Sequence, residues 1–351
     1  MEFLPIREDH IVDLAAEHDR LKPRHHFEPD QLKAINAALS ASRPLLVRGE
    51  PGIGKTQFAR AAAKALGWAF IQYVVDARTE SRDLLWHFDA VGRLAEAQVM
   101  GALQVVCPPL KNHDPHDGDP AELALKLLRE RLEPRQFLHP RALWWAFDWD
   151  SAVKQAHNVR VAPPAQPDGG DHSKGCVVLI DEIDKAESDV PNGLLEALGV
   201  GRFTPQGCSQ PVEIKGPPPL VVITTNEERA LPDAFIRRCL VLHLKLPKQR
   251  DALINKLVER GKTHFTDTKT GKLLTTEKVL EKSAQLLADD RAAAELRHWR
   301  PLPGQAEYLD LVRAVVVQAG GNLKRHDDLI DQVGRFVLKK HPEAARERDE
   351  L

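Results

Sequence analysis

Residues Gly49-Glu50-Pro51-Gly52-Ile53-Gly54-Lys55-Thr56 spell G-x-x-x-x-G-K-[ST] in full, and no other stretch of the 351 residues restricts the fold as tightly. The glycines let consecutive main-chain N–H groups turn toward one point, where a lysine ammonium and a threonine hydroxyl also converge; that arrangement suits a polyphosphate. A Gly-rich surface turn is the bland alternative, and the flanks argue against it. Pro44-Leu45-Leu46-Val47 reads as a buried strand. Lys55 to Leu66 reads as a helix with Phe58, Ala61, Ala62 and Ala65 inward, Arg60 and Lys64 outward, and Gly67 as its stop. Strand, loop and helix in that order put the phosphates at a helix N-terminus, where unpaired N–H groups and the macrodipole favour negative charge. The expected ligand is ATP or GTP.

A second element follows at Cys176-Val177-Val178-Leu179-Ile180-Asp181-Glu182. This apolar run reads as a buried strand that delivers two adjacent carboxylates at its carboxyl end, the edge where open α/β sheets place ligands. Asp181 is the expected Mg²⁺ ligand, and Glu182 the group that polarises an attacking water. A third run, Leu220-Val221-Val222-Ile223-Thr224-Thr225, ends on Asn226, placed to orient that water. Beyond it, Arg237 and Arg238 in Phe235-Ile236-Arg237-Arg238-Cys239 offer guanidinium groups suited to neutralising transition-state charge from a neighbouring subunit.

With these elements in order, the chain resembles the AAA+ ATPases and, within them, the MoxR-like group of the branch carrying an insert in the second helix. The resemblance runs from about Phe27 to Pro247 and is carried by Arg48 to Thr56, Val178 to Ala186 and Thr224 to Cys239. It implies Walker A roles for Lys55 and Thr56, Walker B roles for Asp181 and Glu182, sensor 1 for Asn226, and an arginine finger at Arg237 or Arg238. Sensor 2 is the departure: no clear arginine motif opens the lid helix, and Arg300, before Pro301-Leu302-Pro303, and Arg297 are the candidates.

The expected fold class is therefore α/β: a P-loop NTPase three-layer αβα AAA+ core with a parallel sheet over residues 1–247, followed by a small helical lid over 248–351. Helical periodicity in Asp251 to Arg260, Thr276 to Ala288, Ala306 to Ala319 and Asp327 to Lys340 supports the lid, and Leu246-Pro247 is the natural hinge. Asp83 to Gln98 is the expected helix-2 insert, with Val91-Gly92-Arg93-Leu94 as its turn. Arg202 to Gly207 and Pro211 to Lys215 read as a hairpin over about 202–215, facing a central pore or lying as an ordinary surface hairpin. A further insertion spans about 108–172. Pro108 to Pro120 and Pro163 to Gly170 look like flexible loops, Ala121 to Leu132 an amphipathic helix, and Leu143-Trp144-Trp145-Ala146-Phe147 a buried cluster. His113, His116 and His172 lack metal-ligand spacing.

A 42% hydrophobic chain of this length buries a large core and is expected to form two packed units. Cys107, Cys176, Cys208 and Cys239 form no C-x-x-C pair, which argues against zinc and a disulfide framework. No apolar run reaches membrane-spanning length, so a soluble, cytoplasmic protein is expected. The net charge of −2, from 49 Lys plus Arg against 51 Asp plus Glu, gives no general drive toward nucleic acid. The family resemblance implies a ring, a hexamer, that hydrolyses ATP with Mg²⁺ at subunit interfaces to remodel a client protein, often one with a von Willebrand factor A domain. A DNA- or RNA-translocating motor and a slowly hydrolysing nucleotide-gated scaffold are the other readings; for the motor, the hairpin offers only Arg202 and Lys215.

Overall fold

The structure, a computed structural model, describes residues 10–15, 23–106, 126, 129–268, 270–339 and 341. Its centre is a five-stranded parallel sheet in the order Leu240–His243, Leu45–Arg48, Leu220–Thr225, Asp171–Asp181 and Trp68–Val74. Val222 lies opposite Leu45 on one side, and Val221 opposite Val178 on the other. Side chains alternate across a strand, so continuous apolar runs feed two cores at once. Leu45, Val47, Val177, Leu179, Leu220 and Val222 join Phe58, Ala61 and Ala62 of the helix Lys55–Leu66 on one face. Leu46, Val178, Ile180, Val221 and Ile223 join Leu143, Trp144, Trp145 and Phe147 on the other. Sheet and helices thus make the expected three-layer αβα arrangement. The expected buried cluster at Leu143 to Phe147 is the helix Ala142–Phe147, and every one of its residues is buried.

The insert differs from the sequence reading. Val91 to Leu94 is no turn: it lies in the first turns of the helix Ala90–Val106. The side chain of Asp89 explains this, because its Oδ1 accepts the Gly92 N–H at 2.7 Å and caps the helix start. A Cβ on residue 92 would meet Asp89 Oδ2 at 2.2 Å, so the glycine that resembles a turn signal makes room for the cap. The strand Trp86–Phe88 pairs antiparallel with Leu138–Pro140, enclosing that helix in a single excursion. The helix Ala142–Phe147 that follows packs on the sheet, Trp149–Asn158 packs on that helix and on the strand Leu138–Pro140, and both belong to the core.

Pro163 to Gly170 is pinned rather than flexible. Gln166 lends its side-chain amide to the edge strand, accepting from Phe70 N at 2.8 Å and donating to Phe70 O at 3.0 Å. Asp168 pairs with Arg60 at 2.5 Å. His172 stacks on Trp149, ring centroids 4.7 Å apart, and among the described residues no His/Cys/Asp/Glu group is arranged to hold a metal. His113, His116, Cys107 and the loop Pro108 to Pro120 lie outside the described residues, as does the helix expected over Ala121 to Leu132 except for helical positions 126 and 129–131 and a turn at Leu132.

The hairpin strands Arg202–Phe203 and Val212–Glu213 pair antiparallel. Phe203 is buried between Trp86, Trp144 and Phe147, with ring centroids 5.6, 6.0 and 5.8 Å away. After the last strand, the helices Arg250–Phe265, Glu277–Leu296, Gln305–Ala319 and His326–Val337 enclose a third core around Leu257, Leu280, Leu287, Tyr308, Leu311 and Ile330. The amino-terminal strands Ile11–Asp13 and Arg24–His26 tie this bundle to the base. Arg24 donates to the carbonyls of Thr263 at 2.8 Å and Thr266 at 2.9 Å, and Arg260 donates to His26 O at 3.0 Å. Among the described residues no helix is long and apolar enough to cross a membrane.

Candidate functional site

All the strands of the parallel sheet end at one edge, and the candidate site is assembled there. The strand Leu45–Arg48 releases the chain into the Gly-rich loop, where Gly52 (φ 75°) and Gly54 (φ 97°) take left-handed conformations that L side chains avoid. The loop closes around Lys55, the first residue of its helix. Only 7% exposed, Lys55 donates from Nζ to Gly49 O at 2.7 Å, Glu50 O at 3.0 Å and Asn226 Oδ1 at 2.6 Å. Burial pulls its pKa below the ordinary lysine value, against the opposing pull of Asp181, Asp184 and Glu182. A desolvated ammonium held by neutral carbonyl oxygens is a cation ready to exchange those weak partners for phosphate oxygens.

The strand Asp171–Asp181 ends beside it. Thr56 donates its hydroxyl to Asp181 Oδ2 at 2.9 Å, and Gln72 Nε2 approaches the same oxygen at 3.3 Å. Thr224, fully buried in the neighbouring strand, donates to Asp181 Oδ1 and accepts from Glu182 N at 2.9 Å. Glu182 itself sits at φ 60°, ψ 47°, a left-handed turn that swings its carboxylate from the strand tip toward Asn226. Asn226 Nδ2 donates to Glu182 Oε1 at 3.1 Å, and Lys185, one short turn on, is hydrogen-bonded to Oε2. That bond raises the Lys185 pKa. Asp184, 2% exposed, accepts from the main-chain N–H of Asn226 at 3.3 Å and Glu228 at 3.0 Å, so it moulds the loop that presents Asn226. Lys55, Thr56, Asp181, Glu182 and Asn226 are therefore one connected network. Thr224, Gln72, Asp184 and Lys185 support it without standing out in the sequence.

A cleft of about 340 Å³ opens over this network, lined by Pro51, Gly52, Gly54, Lys55, Thr56, Gln57, Asp181, Glu182 and Asn226 from the base. Its far wall is the lid helix Gln305–Ala319, which contributes Gln305, Ala306, Leu309, Asp310 and Arg313. Arg300 is not there. It lines a separate pocket on the other side of the loop with Arg48, Glu50 and Arg291, while Arg297 lies over the Trp299 ring at 4.7 Å. The reason is the break at Pro301-Leu302-Pro303: residues before it close the preceding helix and face away, and the cleft meets only the helix that starts after it. Ala306, Leu309, Asp310 and Arg313 share one helical face at i, i+3, i+4 and i+7, a pattern that would have pointed to Arg313. Glu50 turns its carboxylate to Arg291 of the lid at 2.8 Å, and Ile53 packs toward the core beneath the loop. Arg237 and Arg238, at the end of the short helix Asp233–Ile236, are exposed and line no part of this cleft.

No curated protein matches the sequence. Among solved structures, the chain is similar to a Cytophaga hutchinsonii protein provisionally described as an ATPase, at 14% identity over 91% of this chain and 84% of that one, TM-score 0.37. It is also similar to the FIGL-1 AAA domain solved in complex with ADP, at 13% identity over 97% and 91%, TM-score 0.38. The family model for the AAA domain of the dynein-related subfamily matches residues 44–239, more than half of the chain and the whole stretch from the strand before the loop to Cys239. A nucleotide cleft on a three-layer sheet and that family match agree: the chain belongs to the AAA domain family, in its dynein-related subfamily, and is an ATPase.

Proposed function

We propose that the chain is a MoxR-like remodelling ATPase that works as a hexameric ring, cleaving ATP at the seam between protomers to change the shape of a client protein. The observation that supports ATP cleavage, on which this reading rests, is the network in which Lys55 and Glu182 both bond to Asn226, at 2.6 and 3.1 Å, with Thr56 and Asp181 alongside. Main-chain amides of the loop and the Lys55 ammonium hold the β- and γ-phosphates. Thr56 Oγ1 and the Asp181 carboxylate form a pair of hard oxygen donors already in contact, a set that fits Mg²⁺. When bound there, Mg²⁺ neutralises charge on the β and γ oxygens.

Glu182 takes a proton from a water that Asn226 orients; the water oxygen bonds to the γ-phosphorus as the bond to the bridging oxygen breaks, giving ADP and phosphate. The Lys185 ammonium gives up Oε2 for that step; its side chain is 43% exposed on an otherwise buried turn, so water can take the place of the carboxylate oxygen. Arg313, on the lid wall of the cleft, is the in-subunit contact to the triphosphate in place of Arg300. Arg237 or Arg238 serves the neighbouring protomer's site, and the exposure of both away from their own cleft supports that assignment.

The test is a mixing experiment. Glu182→Gln protein lacks the base but keeps its arginines; Arg237→Ala or Arg238→Ala protein has the reverse defect. Each alone is expected to be inactive, and mixtures to recover turnover through composite interfaces. Silence at every mixing ratio refutes the shared site. The Glu182→Gln form, holding ATP, is then the bait for the client, and proteins with von Willebrand factor A domains are the class to look for first.

A further inference from the structure

The phosphate loop has a second anchor besides its own lysine. Glu50, in the middle of the loop turn, accepts Lys55 Nζ through its main-chain oxygen at 3.0 Å and Arg291 Nη2 through Oε1 at 2.8 Å. Arg291 belongs to the lid helix Glu277–Leu296 and is 9% exposed. Its other terminal nitrogen, Nη1, donates to Pro303 O at 3.0 Å, just before the helix Gln305–Ala319 that walls the nucleotide cleft. Its Nε faces Glu295 within the lid at 3.3 Å. One planar guanidinium therefore holds the loop with one prong and the start of the cleft wall with the other. On the opposite side of the loop, a Cβ on Gly52 would meet Ala306 Cβ at 2.7 Å, so loop and wall are already in contact there.

We infer that Arg291 is a positioning residue that couples the phosphate loop to the lid, so that the loop keeps its anion-binding form only while the lid wall is seated. This rests on the reading of the cleft as the nucleotide site. The fork geometry matters: a lysine ammonium offers no rigid pair of prongs to span Glu50 and Pro303. Losing either prong leaves the loop to be ordered at the moment of binding, which weakens affinity for nucleotide.

The experiment is a double-mutant cycle on the full chain, reading the dissociation constant of fluorescent ADP together with the nucleotide-free melting temperature. Arg291→Lys and Glu50→Gln are each expected to weaken ADP binding about tenfold, and the double variant to be no worse than the weaker single, because both break the same link. Thr275→Val, which removes a buried 2.9 Å hydrogen bond to His326 Nδ1 inside the lid and away from Arg291, is the structural control: it is expected to lower the melting temperature while leaving ADP affinity unchanged. Single variants within twofold of wild type, or effects that simply multiply in the double variant, overturn the coupling. Lys55→Ala is run alongside and is expected to abolish binding. If it binds ADP as wild type does, the cleft reading falls and the coupling with it; if it does not bind while the cycle shows no coupling, only the coupling falls.

Discussion

Thr224→Val tests how the strand tip holds its carboxylates. The side chain is fully buried, and its hydroxyl does two things: it donates to Asp181 Oδ1 and accepts the Glu182 main-chain N–H at 2.9 Å. Valine fills almost the same volume and does neither. A bond to a carboxylate contributes roughly 1.5–3 kcal/mol and a neutral one about 1 kcal/mol, so the loss comes to about 3 kcal/mol. Thr224→Ser keeps both bonds and gives up one buried methyl, which costs about 1 kcal/mol. The two variants therefore differ by about 2 kcal/mol, in favour of the smaller and less apolar side chain. Urea unfolding followed by tryptophan fluorescence reads this difference in the right unit, since Trp68, Trp86, Trp144, Trp145 and Trp149 lie in the base and only Trp299 in the lid. Steady-state turnover should fall further in the valine form than in the serine form, because Asp181 and Glu182 both lose a fixed partner. A valine variant as stable as the serine variant would refute the reasoning.

Two further expectations concern acid and the loop. Burial holds His25 down at about 3 and His264 at about 4, below the ordinary 6.5, so both are neutral in the fold and the unfolded chain binds their protons first. Stability is then complete above pH 6.5 and declines as pH falls from there toward those folded values; each histidine accounts for a loss of about 2 kcal/mol by pH 5. Unfolding of wild type and His25→Gln at pH 7.5 and pH 5 checks this, with a shallower acid loss expected in the variant and an identical loss counting against it. Gly52→Ala places a methyl 2.7 Å from Ala306 Cβ at a left-handed residue, φ 75°. It is expected to cost roughly 1–3 kcal/mol of stability and to weaken nucleotide binding, measured by titration; unchanged affinity would mean that loop and lid tolerate separation.

What the sequence made legible was local. Lys55 to Leu66 carries its own start and stop, and Gly67 takes the left-handed C-cap conformation, φ 68°, that the stop implies. The strand before the loop and those ending at Asp181 and Thr225 were visible because a strand buried on both faces is apolar throughout, as in Val177 to Ile180. Where the reading failed, a side chain or strand outside the motif decided. Gly92 looks like a turn until Asp89 is seen capping the helix that contains it. Trp86–Phe88 finds its strand partner at Leu138–Pro140, far along the chain. Arg300 has the company of prolines that suggests a lid entrance, yet it lies in the connection after the helix that ends at Leu296, the cleft-facing helix begins only at Gln305, and Arg313 takes the wall. The ties of Lys55 to Asn226 and of Thr224 to Asp181 are properties of adjacent strand ends, which no spacing along the chain encodes.

The aromatic nest around Phe203 has a mechanical meaning. The hairpin that bears this ring is wedged against Trp86 at the root of the excursion and against Trp144 and Phe147 on the core helix, and Lys215 at its foot donates to Phe147 O at 2.7 Å. A finger mounted in that way does not wag independently. The ring contact with Trp86 joins it to the strand Trp86–Phe88 that leads into the helix Ala90–Val106, so two segments far apart in the primary structure share one anchorage.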